Sequence, residues 1–210
     1  MANTLDFKKE YKELYLPKTE PTLIKIPEMI YVSIIGKGNP DDPNGEYKNA
    51  IETLYGIQYT IKMSKKGTYA PDGYFDYVVP PLEGFWWSDI ETEMKNKSEY
   101  NWISIIRLPE YVTKGVFKWA CEEAGKKKKI DTTKAKLLKI NEGLCVQCMH
   151  IGSFDEESKT LKLIEKFIED NNLIKDINNK RRHHEIYLSD PRKVEEAKMK
   201  TVIRIPVKNK

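Results

Sequence analysis

The chain has 210 residues, with 36 Lys or Arg against 32 Asp or Glu, and the resulting net charge of +4 neither demands nor forbids an anionic partner. Hydrophobic content of 40% beside 32% charged residues fits a globular chain long enough to bury a core without disulfide or metal staples. Three cysteines suit free thiols in a reducing cytoplasm, no apolar run reaches the roughly 18 residues of a membrane helix, and Asp6, Lys8, Lys9 and Glu10 interrupt any secretion-signal core.

In chain order, Phe7 to Leu16 reads as a short amphipathic helix or arm closed by Pro17. Met29 to Ile35 is an apolar run expected as a buried strand, and GKGNPDDPNG (Gly36 to Gly45) is a turn-rich loop. Tyr47, Ala50, Ile51, Leu54 and Tyr55 recur at helical spacing, and strands follow around Tyr74 to Val79 and Asn101 to Leu108. Val116, Phe117, Ala120 and Ala124 predict a linking helix over Thr113 to Lys127, capped by Gly125, with Lys126 to Lys129 as its solvated end. The plan then returns: strand from Leu137 to Ile151, loop from Gly152, helix through Leu161, Ile164, Phe167 and Ile168, and strands at His183 to Leu188 and Thr201 to Val207.

Three blocks recur in the same order. Glu28 to Asp41 aligns without gaps on Glu142 to Asp155, Tyr77 to Pro81 on Tyr187 to Pro191, and Ile105 to Pro109 on Val202 to Pro206. This predicts one α+β domain made of two strand–helix–strand–strand copies, about 23–109 and 137–207, joined by the helix of 110–130. Antiparallel sheets covered by helices on one side, related by a pseudo-twofold axis, would leave a groove, where function is expected.

PPLEGFWW (Pro80 to Trp87) concentrates aromatic area, with Trp119 further along. Core filling explains any one of these rings, but in a strand Trp86 and Trp87 face opposite sides, so one can line the groove. Glu83 is either a pocket carboxylate or, more simply, a loop charge. In RRHHEIY, strand alternation puts His183, Glu185 and Tyr187 on one face and His184 with Ile186 on the other. Glu185 aligns with Phe75 of the first copy, an asymmetry suited to a binding site; a solvent-facing strand glutamate is the plainer alternative. Adjacent histidines on opposite faces cannot share one ion, and no third ligand is spaced for it, so no metal is expected. Cys145 and Cys148 form a lone CxxC inside a strand, expected to be inert. Gly36-Lys37-Gly38 lacks phosphate-loop spacing, and no nucleic-acid-binding motif accompanies Lys126 to Lys129.

LYGIQYTIK (Leu54 to Lys62), YVVPPLEGFWW (Tyr77 to Trp87), EGLCVQCMHIGSFDEE (Glu142 to Glu157), HHEIYLSDPRK (ending at Lys193) and KTVIRIPV (Lys200 to Val207) resemble the GyrI-like small-molecule-binding family. The same domain serves as the effector-binding half of multidrug-responsive and AraC-type regulators. The resemblance implies a groove for hydrophobic, often flat or cationic ligands, with Glu185 as its carboxylate. Stand-alone members of that family similar to this chain hydrolyse cyclopropane-bearing alkylators. By that resemblance Glu185, Tyr187 and His150 are candidate catalytic residues, and Trp86, Trp87, Phe75, Glu83, Met149 and Trp119 candidate ligand-binding ones. No cofactor, no membrane and no direct nucleic-acid contact are implied. The leading expectation is hydrolysis of strained electrophilic xenobiotics; a non-catalytic module sequestering lipophilic cations is the alternative, and inhibition of a topoisomerase a remote third.

Overall fold

The apolar run from Met29 lies in β2 (Thr22–Lys37), a strand long enough to serve two packing groups. The computed structural model describes residues 4–67, 69–88 and 97–210. The fold is α+β, with a large antiparallel sheet and, among the described residues, five α-helices. The chain forms two compact units, each discontinuous in sequence. The first comprises the described residues of Met1–Glu10, Met29–Leu82 and Trp87–Ile140; the second comprises Tyr11–Glu28, Glu83–Trp86 and Asn141–Lys210.

In the first unit, β2 from Tyr31 to Lys37 runs antiparallel to β5 (Asn101–Arg107), Tyr31 opposite Arg107 and Lys37 opposite Asn101. The helix α3 (Glu46–Lys62) buries Leu54, Ile57 and Ile61 completely, at the i, i+3, i+7 spacing of one helical face. Its Tyr47 ring meets Trp102 of β5 edge-on, with centroids 5.2 Å apart. Gly36 makes room for that indole: a Cβ there would stand 2.3 Å from the Trp102 ring. The linking helix α4 (Lys114–Lys128) begins where the Thr113 hydroxyl accepts the Val116 N–H at 3.2 Å. It does not end at Gly125. Three lysines, good helix formers favoured at a helix C-terminus, carry it on, and Lys129 closes it in the left-handed conformation at φ 55°. The strand expected at Tyr74 to Val79 shrinks to β3 (Tyr77–Val78), paired in parallel with β1 (Leu5–Asp6). The expected N-terminal helix is two single turns, α1 (Phe7–Glu10) and, in the second unit, α2 (Lys12–Tyr15).

The second unit is centred on β9 (Lys200–Asn209). β6 (Lys136–Ile151) pairs with it antiparallel, Cys145 opposite Pro206 and Ile151 opposite Lys200. β8 (His183–Tyr187) also pairs with β9, His184 opposite Arg204 and Tyr187 opposite Thr201. A short β7 (Leu173–Lys175) extends the pairing at the far end of β9. PPLEGFWW supplies a further strand, β4 (Leu82–Trp87), next to β8. The helix α5 (Glu157–Asp170) lays Ile164 and Ile168 on Val146, Cys148, Ile203, Ile205 and Val207. Burial pushes the Cys145 and Cys148 thiols up, to about 12 and about 11, so both are held protonated at neutral pH. No described helix is long and apolar enough to cross a membrane.

Candidate functional site

Strand alternation divides β4 and β8 of the second unit into two faces with different chemistry. One face carries Gly84, Trp86, His183, Glu185 and Tyr187; the other carries Glu83, Phe85, His184 and Ile186. On the first, Trp86 Nε1–H donates to the Tyr187 hydroxyl at 2.8 Å, and that hydroxyl donates to Glu185 Oε2 at 2.8 Å. His183 Nε2–H donates to Glu185 Oε1 at 2.9 Å. Both oxygens of Glu185 are therefore engaged, and the carboxylate is fixed in orientation. Gly84 permits the arrangement: a Cβ there would lie 2.7 Å from Trp86 Nε1 and 3.2 Å from the Tyr187 hydroxyl. The half-exposed Phe154 ring meets Tyr187 edge-on at 5.7 Å, adding an apolar wall.

Glu157, the first residue of α5, completes this face. One oxygen each from Glu157 and Glu185 and a ring nitrogen of His183 lie within 4.8 Å of one another. Burial, then the charge of Glu185 and a hydrogen bond to it, push the Glu157 carboxyl up to about 9. As an anion, Glu157 would leave its buried Oε1 with no donor to accept from. Burial and the neighbouring Glu185 therefore favour the acid form of Glu157. The spacing could hold a metal ion, and Glu157 is the third ligand that sequence spacing did not offer.

The opposite face is a buried ionic network. His184 Nδ1 lies 2.9 Å from Glu142 Oε2, and Nε2 lies 3.1 Å from Glu83 Oε2, close but bent away from hydrogen-bond geometry. Glu142 Oε1 takes Arg204 Nη1 at 3.3 Å, and Arg204 Nε–H donates to Gln147 Oε1 at 3.1 Å. Arg204 Nη2 also reaches the Leu14 carbonyl, and Tyr15 donates its hydroxyl to Glu83 at 3.5 Å. Burial disfavours the His184 cation, but Glu142 and Glu83 outweigh it and raise the imidazole to about 9. Burial likewise opposes the Glu142 anion, yet His184 and Arg204 hold its carboxyl below the ordinary value. The Glu142 carboxylate thus faces two cations, and Phe85 stacks on His184 at 4.2 Å. Glu83, expected as a loop charge or pocket carboxylate, sits in a strand with no exposed surface and faces this network.

His150 is 3% exposed, and both ring nitrogens are bound. The Ser153 carbonyl at 2.9 Å requires Nε2–H, while Nδ1 pairs with Thr160 Oγ1 at 2.8 Å. Met149 is buried beside it, its N–H donating to the Lys18 carbonyl at 2.8 Å. The remaining expected ligand residues belong to the first unit. Trp119 stacks on Tyr69 with centroids 4.3 Å apart, Phe75 meets Tyr111 edge-on at 5.2 Å, and Trp87 is half-buried at the end of β4. The Tyr111 hydroxyl of that aromatic cluster is buried without a hydrogen-bond partner.

Sequence reasoning missed Glu157, Glu142 and Arg204, and gave His183 no part in the site. Nothing local separates Glu157 from its neighbour Glu156, which is exposed and paired with Lys159. The Glu142 and Arg204 positions were visible only as repeated letters in the Glu-x-x-x-Val and Ile-Arg-x-Pro blocks.

An α+β fold whose second unit presents an oriented carboxylate among aromatic rings defines a small-molecule-binding domain. The chain belongs to the GyrI-like small molecule binding domain family, whose profile matches residues 19–208. Among solved structures it is similar to a hydrolase from Listeria innocua, at 49% identity and TM-score 0.90, covering 98% of this chain and 100% of that one. An uncharacterized conserved protein from Listeria innocua is similar at 50% identity and TM-score 0.93, with the same coverage. The EcmrR C-terminal domain shares the fold at 16% identity and TM-score 0.53, over 91% of this chain and 98% of that one. No curated protein matches.

Proposed function

We propose that the chain binds hydrophobic, flat small molecules against Trp86 and Tyr187 and hydrolyses strained, cyclopropane-bearing electrophiles, a detoxifying activity. The carrying observation is the oriented Glu185 carboxylate, held by Tyr187 and His183 beside the Trp86 indole. A similar protein of 49% identity is described as a hydrolase, which supports the same reading. A carboxylate fixed in this way can take a proton from water as that water attacks the strained carbon. Tyr187 and His150, the sequence-based candidates for polarising a ligand carbonyl, have other engagements: Tyr187 gives its proton to Glu185 and His150 its Nε2–H to Ser153. Their part in this reading is therefore to orient. The test is mass spectrometry of a cyclopropane-bearing alkylator incubated with the protein in 18O-labelled water. A product heavier by one labelled water, formed over many turnovers, is expected; unchanged compound despite binding contradicts the hydrolytic reading.

The second reading is a binding or sequestering module for lipophilic cations, favoured by the Glu185 carboxyl group beside aromatic faces. It predicts affinity without product, and an affinity for cations that Glu185→Gln removes.

A further inference from the structure

We infer that the Tyr74, Phe75 and Tyr111 rings of the first unit form a binding site for flat ring systems that bear a carbonyl group, with the Tyr111 hydroxyl as hydrogen-bond donor to that carbonyl. The inference concerns recognition, so it stands whether or not the protein hydrolyses a ligand. Two turns assemble the cluster. In the first, the Tyr74 N–H donates to the Pro71 carbonyl at 3.1 Å, and Gly73 takes φ 72°, the left-handed conformation that a type II turn requires at its third residue. In the second, the Val112 N–H donates to the Pro109 carbonyl at 3.0 Å and fixes the chain at Tyr111. The Phe75 ring then meets Tyr111 edge-on at 5.2 Å, and the Tyr74 ring lies tilted against it at 5.5 Å. All three residues are half-buried, so aromatic surface remains open to a ligand.

Tyr74, Tyr77 and Tyr111 lie together here, and two of their hydroxyls have protein acceptors. Tyr74 donates to the Lys62 carbonyl at 2.6 Å and Tyr77 to Gln58 Oε1 at 2.9 Å. The Asp76 carboxylate is also taken: Oδ1 by the Lys62 ammonium at 3.1 Å and the Tyr77 N–H at 3.0 Å, and Oδ2 by the Thr4 hydroxyl at 3.1 Å. The Tyr111 hydroxyl, by contrast, is buried without a hydrogen-bond partner. Burial, with the charges of Tyr74 and Asp76, pushes this phenol above its ordinary value, so it stays protonated and lacks only an acceptor. Buried polar groups in folded proteins are almost always paired, and this one is left for a group from outside the chain.

A lone donor among aromatic faces selects an acceptor carried on a flat, apolar molecule. The charge of Asp76 reaches Tyr111 and disfavours an anionic acceptor, which leaves a neutral carbonyl. The two copies differ accordingly. Phe75 stands where the alignment puts Glu185 in the second copy, so this stretch of the first copy offers a ring and a neutral donor in place of a carboxylate.

The test compares fluorenone with fluorene, which has the same fused rings and a methylene in place of the carbonyl. Dissociation constants for both, and the carbonyl stretch of bound 13C-labelled fluorenone, are measured on wild type, Tyr111→Phe and Phe75→Leu, with melting temperatures of the ligand-free proteins alongside. Tyr111→Phe keeps the ring and removes the donor. It should weaken fluorenone about tenfold, leave fluorene unchanged, relax the stretch that wild type lowers, and not lower the melting temperature. Phe75→Leu removes an aromatic wall and should weaken both ligands alike, by about threefold or more. Equal effects of Tyr111→Phe on the two ligands, or one stretch in wild type and Tyr111→Phe, overturns the assignment. A melting temperature lowered by Tyr111→Phe also overturns it, because the hydroxyl then serves the fold. So does failure of fluorenone to bind wild type. Neither compound contains a cyclopropane, so the hydrolytic reading stands or falls on its own test.

Discussion

Glu83 and Glu185 are both strand glutamates near aromatic residues, and their fates diverge because their partners do. Glu83 faces an imidazolium inside the unit and is fully buried, whereas Glu185 is oriented by Tyr187 and His183 on the Trp86 face. Alternation along HHEIY was enough to place Glu185 with Tyr187 and to set His184 apart. It could not say which face would be the polar core, because a histidine is equally at home on either. Glu157 was beyond reach, since only the docking of α5 brings its first residue to β8. At this scale Gly84 is the most informative position after the carboxyl pair. A Cβ there would come within 2.7 Å of Trp86 Nε1, so Gly84→Ala should displace the indole and break its bond to Tyr187. Ligand affinity, followed by titration calorimetry, is expected to fall about tenfold or more, with a stability loss of about 1–3 kcal/mol from overpacking.

Among the elements, β4 and β8 are tied through the His184 network, which gives the second unit a defined pH response. The His184 value in the fold, about 9, stands above its ordinary 6.5, so its contribution to stability is fully present below about 6.5 and is lost as pH rises through about 9. Glu142 is shifted the other way, so its contribution is present above its ordinary 4.5 and is lost as pH falls. Melting temperature should therefore decline from pH 6.5 toward 9. His184→Asn should lower stability at pH 7 by about 3–5 kcal/mol, as expected when one member of a buried ion pair is removed, and should flatten that alkaline slope. An unchanged slope in the variant would place the titration elsewhere. In the first unit, β2 and β5 depend on the close approach of Trp102 to Gly36. Gly36→Ala, with a Cβ 2.3 Å from the indole, should cost about 1–3 kcal/mol in denaturant unfolding.

For the whole molecule, the fold class and most elements were legible because period and punctuation agreed. The apolar run of β2, the glycine- and proline-rich loop after it and the helical spacing of α3 and α5 each point one way. The repeated blocks fall on corresponding elements: the Glu28 and Glu142 blocks in β2 and β6, and the Ile-Arg-x-Pro blocks in β5 and β9, each antiparallel to its own partner. We propose on that basis that the two halves descend from one duplicated unit. Less legible was how the chain is shared out, since Tyr11–Glu28 and Glu83–Trp86 join the second unit across long sequence distances. No local pattern encodes such a placement. The same long-range docking hid the ionic network and the approach of Glu157 to Glu185.

Glu185 is proposed to act in chemistry and not only in recognition. The most direct test measures dissociation constant and turnover number for one cyclopropane-bearing alkylator on wild type and on Glu185→Gln. Turnover lowered by about 10²-fold or more, with affinity nearly unchanged, is the predicted result. Equal turnover in both proteins, or binding without product in the wild type, would contradict it.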